Sequence, residues 1–77
     1  PAMWFKYKGQ RYKILKAKIS NKQDENGKII NLPLTVACRE KSLDILEIQA
    51  EGKKALNIKE FILGNNQFQL NENINNG

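Results

Sequence analysis

The run from Leu34 to Lys54 constrains the fold of this 77-residue chain most strongly, because it joins two strand patterns through a charged turn. Between residues 34 and 39, apolar side chains alternate with others, which is the period-two pattern of a half-buried strand. Between Leu43 and Gln49, the apolar residues are denser and fall on both faces. This density predicts either a β-bulge or a strand buried on both sides at the closure of a barrel. The turn over residues 39–42 has no glycine, so we expect a longer loop built on a type I turn.

The residue types exclude several kinds of chemistry. The chain has no histidine and one cysteine, Cys38, so neither a zinc cluster nor a Ser-His-Asp arrangement can be built from these residues. A single cysteine also excludes an intramolecular disulfide and fits a reducing compartment. Its place on a strand favours a small buried hydrophobe over a reactive thiol. These residues alone are therefore a poor candidate for an enzyme.

The length and the apolar pattern predict one domain spanning residues 1–77. We find no internal repeat and no second domain in the sequence. No apolar run approaches the length of a membrane span, and the first residues lack the continuous apolar block of a signal peptide. We therefore expect no membrane partner.

The basic residues are concentrated near the N-terminus. Thirteen Lys and Arg against eight Asp and Glu give a net charge of +5. The segment from Pro1 to Lys22 has no acidic residue, and its basic residues are Lys6, Lys8, Arg11, Lys13, Lys16, Lys18 and Lys22. A segment whose charged residues are all positive favours a polyanionic partner such as nucleic acid. The alternative is a solvated, lysine-rich strand face that protects the sheet from edge pairing, and the charge pattern leaves both open.

Residues 4–20 predict a β-hairpin that turns near Gly9, where the backbone can adopt a positive φ. The apolar residues change face along the second arm, which predicts a bulge near Ile14-Leu15. From this change of face we expect the basic residues to lie on both sides of the sheet.

Aromatic residues alternate with lysines in the same hairpin. Such interleaving is typical of surfaces on which the bases of an oligonucleotide stack. The alternative, which we favour for Phe5, Tyr7 and Tyr12, is that these rings belong to the core. Trp4 is the aromatic residue that we expect to be exposed or to cover an adjoining domain.

A short helix is predicted over Asn57–Gly64. Asn57 is a suitable N-cap, Glu60 stands at the N3 position of a capping box, and Gly64 can adopt the left-handed C′ conformation. The apolar residues recur at i, i+3 and i+4 from Ile58, so one helix face would close the end of a barrel.

The remaining segments predict short strands separated by polar turns. We expect strands at Lys28–Ile30, after the Asn26-Gly27 turn, and at Gln67–Leu70, with a loose tail anchored only by Ile74. About five short strands and one capping helix predict a mainly β fold, a small OB-like barrel that is closed or partly open.

Three motifs follow one another along nearly the whole chain. They are the aromatic hairpin PAMWFKYKGQRYKILKAKI, the run SLDILEIQAEGKK after a VAC strand, and the capped helix KEFILG. In this order and spacing they resemble the C-terminal domain of the methionyl-tRNA formyltransferase family. The chain departs from the family at Arg39-Glu40-Lys41, where the family commonly has a glycine-acid-glycine turn. We interpret the two added cations as part of a solvated turn.

The resemblance implies a function as well as a fold. The family's C-terminal module is an OB-like barrel that follows a catalytic domain in the same chain. That catalytic domain transfers a formyl group from 10-formyltetrahydrofolate to the methionine carried by initiator tRNA. Because the family's catalytic residues lie in the N-terminal domain, no catalytic residue, metal or cofactor is expected in these 77 residues. The implied role is non-catalytic positioning of tRNA in the cytoplasm during translation initiation.

The same resemblance names candidate contacts with tRNA. Lys53 and Lys54 match the family's motif directly, in EGKK. The hairpin residues match only as a region, and we assign them to tRNA contacts from their charge: Lys6, Lys8, Arg11, Lys13, Lys16 and Lys18. Two alternatives stay open, a structural module of a sugar N-formyltransferase or formyltetrahydrofolate dehydrogenase, and a free-standing oligonucleotide-binding barrel.

Overall fold

The computed structural model describes residues 3–38, 40–64 and 68–74, which form one antiparallel sheet and one short helix. The elements are β1 (Met3–Tyr7), β2 (Gln10–Ser20), β3 (Ile29–Asn31), β4 (Thr35–Cys38), β5 (Lys41–Ala50), β6 (Leu56–Asn57) and α1 (Ile58–Gly64). The strand order is β1-β2-β5-β4-β3, and β6 also pairs with β5. The predicted mainly β fold with one short helix is confirmed. Within the described residues β1 and β3 are the ends of the sheet and do not pair, so the sheet is not a closed barrel.

The strand β5 organises the sheet. One edge of β5 pairs with β2 over most of its length, and the other edge pairs first with β4 and then with β6. The next strand, β4, lies inside the sheet, and Thr35, Val36 and Ala37 are all buried. The expectation of a half-buried strand here was therefore wrong. Alternation of apolar and other residues indicates an exposed strand face only where one face of the sheet is in contact with solvent.

Two facing bulges interrupt the pairing of β2 with β5. Ile14 pairs with Ile48 and Lys16 with Glu47, which leaves Leu15 as an extra residue in β2. Ala17 pairs with Ile45, which leaves Leu46 as an extra residue in β5. The bulge predicted near Ile14-Leu15 is confirmed, and of the two alternatives predicted for the second strand the structure shows the bulge. Because each strand gains one residue, the register before and after the two bulges is the same.

Two turns and one short strand differ in how well the sequence predicted them. The β1–β2 hairpin turns at Lys8 and Gly9, whose φ values of 50° and 82° are both positive, as a type I′ turn requires. The turn after β4 is shorter than predicted, because Cys38 pairs with Lys41 and leaves only two connecting residues. Arg39 lies outside the described residues. The strand predicted at Lys28–Ile30 is β3, displaced by one residue.

The core is built around a cluster of aromatic rings. The ring of Phe5 stacks on Tyr12 with centroids 5.2 Å apart, and Tyr7 stacks on Phe68 at 4.3 Å. Phe61 of α1 meets the edge of Tyr12 at 5.6 Å. Phe5, Tyr7 and Tyr12 are thus core residues, as favoured from the sequence.

The helix α1 begins at the predicted cap. Asn57 Oδ1 accepts a hydrogen bond from the Glu60 backbone N–H at 2.8 Å, and Asn57 Nδ2 donates to Glu60 Oε1 at 2.7 Å. Ile58 and Phe61 are buried against the core. The predicted C′ role of Gly64 was wrong, because Gly64 is the last residue of α1 and its φ is not in the left-handed region.

The C-terminal segment packs without forming the predicted strand. Gln67 lies outside the described residues, and residues 68–70 have no strand pairing, although Phe68 is buried. The following residues are not loose. Asn71 N–H donates to the Ile29 carbonyl at 2.9 Å, and Ile74 N–H donates to the Gly27 carbonyl at 2.9 Å. Tertiary hydrogen bonds to Gly27 and Ile29 therefore replace the sheet closure that the sequence suggested.

Over residues 3–38, 40–64 and 68–74, no helical segment combines the length and apolar character needed to traverse a lipid bilayer.

Candidate nucleic-acid interface

Cross-strand register assigns the hairpin side chains to two faces. Phe5 pairs with Tyr12, and both point into the core. The neighbouring pairs, Lys6 with Arg11 and Trp4 with Lys13, therefore point to the opposite face, because paired residues share a face and successive residues alternate. The first half of the hairpin thus presents three cations and one aromatic ring on its outer side.

The bulge at Leu15 brings two further lysines to the same side. In a regular strand Lys13 and Lys16 would point to opposite faces, since they are three residues apart. The extra residue restores the outward direction, and Lys16 pairs with Glu47, the outward-facing neighbour of the buried Ile48. Lys18 follows two residues later on the same face.

We call the resulting surface the basic face, and its cations are Lys6, Arg11, Lys13, Lys16 and Lys18. The expectation that the hairpin cations lie on both sides of the sheet was wrong for these five. A bulge changes the direction of the cations that follow it as well as that of the apolar residues, so Lys16 and Lys18 point to the same side as Lys13.

Trp4 lies among the cations of the basic face. The Arg11 Cζ atom is 4.6 Å from the Trp4 ring centroid, and Lys13 Nζ is 5.6 Å from it. Both distances fall within the range of cation–π attraction. Trp4 remains 45% exposed, in agreement with the expectation that this aromatic residue is exposed or covers an adjoining domain.

Acidic residues of β5 border the basic face without cancelling it. Glu47 stands opposite Lys16, and Asp44 stands opposite Lys18 while accepting a hydrogen bond from Thr35 Oγ1 at 2.9 Å. Arg11 Nη1 forms an ion pair with Glu51 Oε2 at 3.2 Å, with both side chains about half exposed. Exposed pairs of this kind contribute at most about 1 kcal/mol, so a phosphate can compete for the cation.

The other three candidate lysines gather at one end of the sheet. Lys8, Lys53 and Lys54 line a cavity of about 230 Å³ whose wall includes Tyr12 and Phe61. We call this cavity the lysine pocket. Gln10 also lines it; this residue was not among the predicted site residues, although its position beside the Gly9 turn was a usable signal.

The loop that carries Lys53 and Lys54 is held by local hydrogen bonds. Lys53 N–H donates to the Ala50 carbonyl at 3.0 Å, and Gln49 Nε2 donates to the Lys53 carbonyl at 2.8 Å. The turn passes through Gly52 at a φ of 83°. The backbone of this loop is therefore positioned while its lysine side chains stay exposed.

Charged and polar groups near the lysine pocket influence one another. Lys8 Nζ lies 4.0 Å from Glu72 Oε2 and 5.3 Å from the Tyr7 ring centroid. Burial, together with the hydrogen bond from Tyr7 to Glu72, raises the pKa of Tyr7 to about 12. The same hydrogen bond, followed by that from the Gln69 N–H, lowers the pKa of Glu72. Glu72 is thus an ionised partner for Lys8 at neutral pH.

Cys38 has the environment of a packing residue. It is half-buried, and burial raises the pKa of its thiol. Because the thiolate is the reactive form, this environment disfavours nucleophilic chemistry at Cys38.

The chain matches the protein family described as "Formyl transferase, C-terminal domain" over residues 1–66. It is 48% identical to a methionyl-tRNA formyltransferase of Pelagibacter ubique over 65 residues, which cover 83% of this chain and 21% of that protein. It is 44% identical to the methionyl-tRNA formyltransferase of Rickettsia bellii over 66 residues, covering 83% of this chain and 22% of that protein.

The chain belongs to the formyl transferase C-terminal domain family. The resemblance to the C-terminal domain of methionyl-tRNA formyltransferase, inferred from the motif order, is thereby confirmed. The chain spans about a fifth of the length of the curated relatives that it matches.

Proposed function

We propose that this domain positions initiator tRNA for a methionyl-tRNA formyltransferase by binding the phosphate backbone on its basic face. A catalytic domain, N-terminal in the same chain, would transfer the formyl group from 10-formyltetrahydrofolate. The observation that carries the proposal is the placement of five cations on one face of the β1–β2 hairpin. The names of the relatives supply the substrate class. The domain itself would need no cofactor, and its location would be cytoplasmic.

The geometry of the basic face suits a phosphate backbone. From Arg11 to Lys18 the strand β2 extends over roughly 20 Å, at about 3.3 Å per residue. Lysine and arginine contacts to phosphates orient a nucleic acid without reading its sequence. Several such contacts would hold the tRNA in one direction along β2, while its identity would be read elsewhere.

The affinity of the isolated domain would be weak. Phosphate contacts of this kind give dissociation constants of roughly 10⁻⁴–10⁻⁶ M at physiological salt. When the domain is linked to a catalytic domain, the same contacts raise the effective concentration of tRNA at the second site. Modest binding is therefore sufficient for a positioning role.

The first prediction concerns the salt dependence of tRNA binding. We expect Lys16→Ala to weaken binding and to reduce the slope of log K against log salt by about one, because one phosphate contact is lost. The measurement is the anisotropy of labelled initiator tRNA titrated with the chain at several salt concentrations. Lys59→Ala is the matched control, because it removes the same charge from α1, which packs on the core side of the sheet.

Equal slopes for the Lys16→Ala variant and the unmodified chain would remove Lys16 from the interface. If the same were found for Lys13→Ala and Lys18→Ala, the basic face would not be the binding surface. A double Lys53→Ala, Lys54→Ala variant tests the lysine pocket separately. If this double variant binds tRNA as tightly as the unmodified chain does, Lys53 and Lys54 do not contact tRNA. That conclusion is independent of the result for the basic face.

A further inference from the structure

Trp4 differs from every other aromatic residue of the chain in its exposure. The sequence contains six aromatic residues, of which Trp4 is the only tryptophan. The other five form the buried cluster of Phe5, Tyr7, Tyr12, Phe61 and Phe68. Leaving a large ring in water forgoes the stabilisation that burial gives, so an exposed Trp4 is consistent with a surface that binds another molecule.

The side chains around Trp4 favour a nucleic-acid ligand. Arg11 and Lys13 hold cationic groups 4.6 and 5.6 Å from the ring centroid, which restricts the ring before any ligand arrives. The ion pair with Glu51 involves Nη1 of Arg11, and a guanidinium has five N–H donors. An aromatic ring flanked by cations is the combination with which proteins bind single-stranded nucleic acids.

We propose that Trp4 stacks on an unpaired base of the bound RNA while Arg11 and Lys13 contact phosphates beside that nucleotide. This proposal rests on the proposed function and adds a property that phosphate contacts alone do not provide. A stacked base must be free of its partner strand, so the basic face would prefer an unpaired segment over a duplex of equal charge. The preferred part of the tRNA would then be a loop or an unpaired end.

The single tryptophan makes this stacking directly measurable. The 77-residue chain is titrated with a single-stranded RNA of about 12 nucleotides, within the span that one such domain covers, and with the corresponding duplex. We expect the single strand to quench the tryptophan fluorescence as it binds, and the duplex to bind with little quenching. Initiator tRNA, which contains unpaired nucleotides, should also quench.

Variants at Trp4 test whether the ring contributes to affinity. Using labelled RNA, we expect Trp4→Leu to weaken binding of the single strand by about 5- to 150-fold, the equivalent of the roughly 1–3 kcal/mol reported for base–aromatic stacking. Binding of the duplex should hardly change. Trp4→Phe should recover most of the affinity, because it retains a ring. Leu63→Ala is the control, since Leu63 is an 88% exposed apolar residue on α1.

The outcomes separate this proposal from the function on which it rests. If the single strand binds without quenching, or if Trp4→Leu binds both RNAs as well as the unmodified chain does, Trp4 does not stack. A loss of affinity in Lys16→Ala would still support phosphate binding in that case. If neither Trp4→Leu nor the lysine variants alter binding, both proposals fail.

Discussion

At the scale of single residues, Tyr7 connects two segments that are far apart in sequence. Its ring stacks on Phe68, and its hydroxyl donates a hydrogen bond to Glu72 in the C-terminal segment. Lys8, the next residue, lies near the same carboxylate. Tyr7 thus combines apolar packing with a polar contact, and both its burial and its hydrogen bond raise its pKa.

The raised pKa of Tyr7 predicts a loss of stability at high pH. An unfolded tyrosine ionises at a pKa of about 10, whereas Tyr7 in the folded chain has a pKa of about 12. Between these values the folded state binds more protons than the unfolded state, so the free energy of unfolding decreases as pH rises. The stabilisation that protonated Tyr7 contributes is fully present below about pH 10. Urea unfolding at several pH values across this window measures the effect.

Tyr7→Phe serves as the comparison, because it keeps the ring and removes the ionisable hydroxyl. We expect this variant to be less stable at neutral pH by about 1.5–3 kcal/mol, since a hydrogen bond to a charged group is lost. Its stability should fall less steeply than that of the unmodified chain between pH 10 and pH 12. Parallel curves for the two proteins would show that Tyr7 is not the group responsible.

At the scale of elements, the glycine that follows β5 and the glycine that ends α1 differ in backbone conformation. Gly52 follows β5 with a φ of 83°, a conformation that residues with a Cβ rarely adopt. Gly64 ends α1 without a left-handed φ. At both positions an added Cβ would meet no atom within 4 Å. Any difference between the two alanine variants must therefore come from the backbone.

We predict that Gly52→Ala destabilises the domain by about 1–2 kcal/mol, the cost of a left-handed conformation for an L-residue. Gly64→Ala should be neutral or stabilising by up to about 1 kcal/mol, because alanine is the better helix former. Thermal unfolding of both variants provides the comparison, and each change of 1 kcal/mol shifts Tm by about 4–8 °C in a domain of this size. Equal losses of stability would contradict the assignment of Gly64 to the helix.

At the scale of the whole molecule, the aromatic cluster joins the sheet, the helix and the C-terminal segment. Phe68 contacts Phe5, Tyr7, Tyr12 and Phe61, with ring centroids between 4.3 and 6.3 Å apart. In a domain of 77 residues the core is small, so one ring is a large share of the buried apolar surface.

We predict that Phe68→Ala destabilises the domain by about 3–5 kcal/mol, the usual cost of removing a buried phenylalanine side chain. This is comparable to the total stability of small domains, about 5–15 kcal/mol, so the cooperative urea transition should shift strongly or disappear. Leu70→Ala is the control, because Leu70 is half exposed in the same segment. A similarly small effect of both variants would show that Phe68 is not part of the cooperative core.

Much of the fold could be predicted because local pattern determines local structure. The hairpin at Gly9, the cap at Asn57 and the irregularities at Leu15 and Leu46 each depend on neighbouring residues and were found from the sequence. The segment at residues 68–74 was misassigned, because its hydrogen bonds go to Gly27 and Ile29, about forty residues earlier in the chain. Hydrogen bonds between residues so far apart in the chain produce no periodic pattern in the local sequence.

The sequence by itself determined that the chain is mainly β, that seven of its thirteen cations precede its first acidic residue, and that its motif order is that of the formyl transferase C-terminal domain. Only the tertiary structure decided which cations lie together. Five of the candidate residues share the basic face and three surround the lysine pocket, because pairing with β5 and the bulge at Leu15 set the direction of each side chain. The direction of a side chain depends on the register between strands, and that register is a property of the folded sheet.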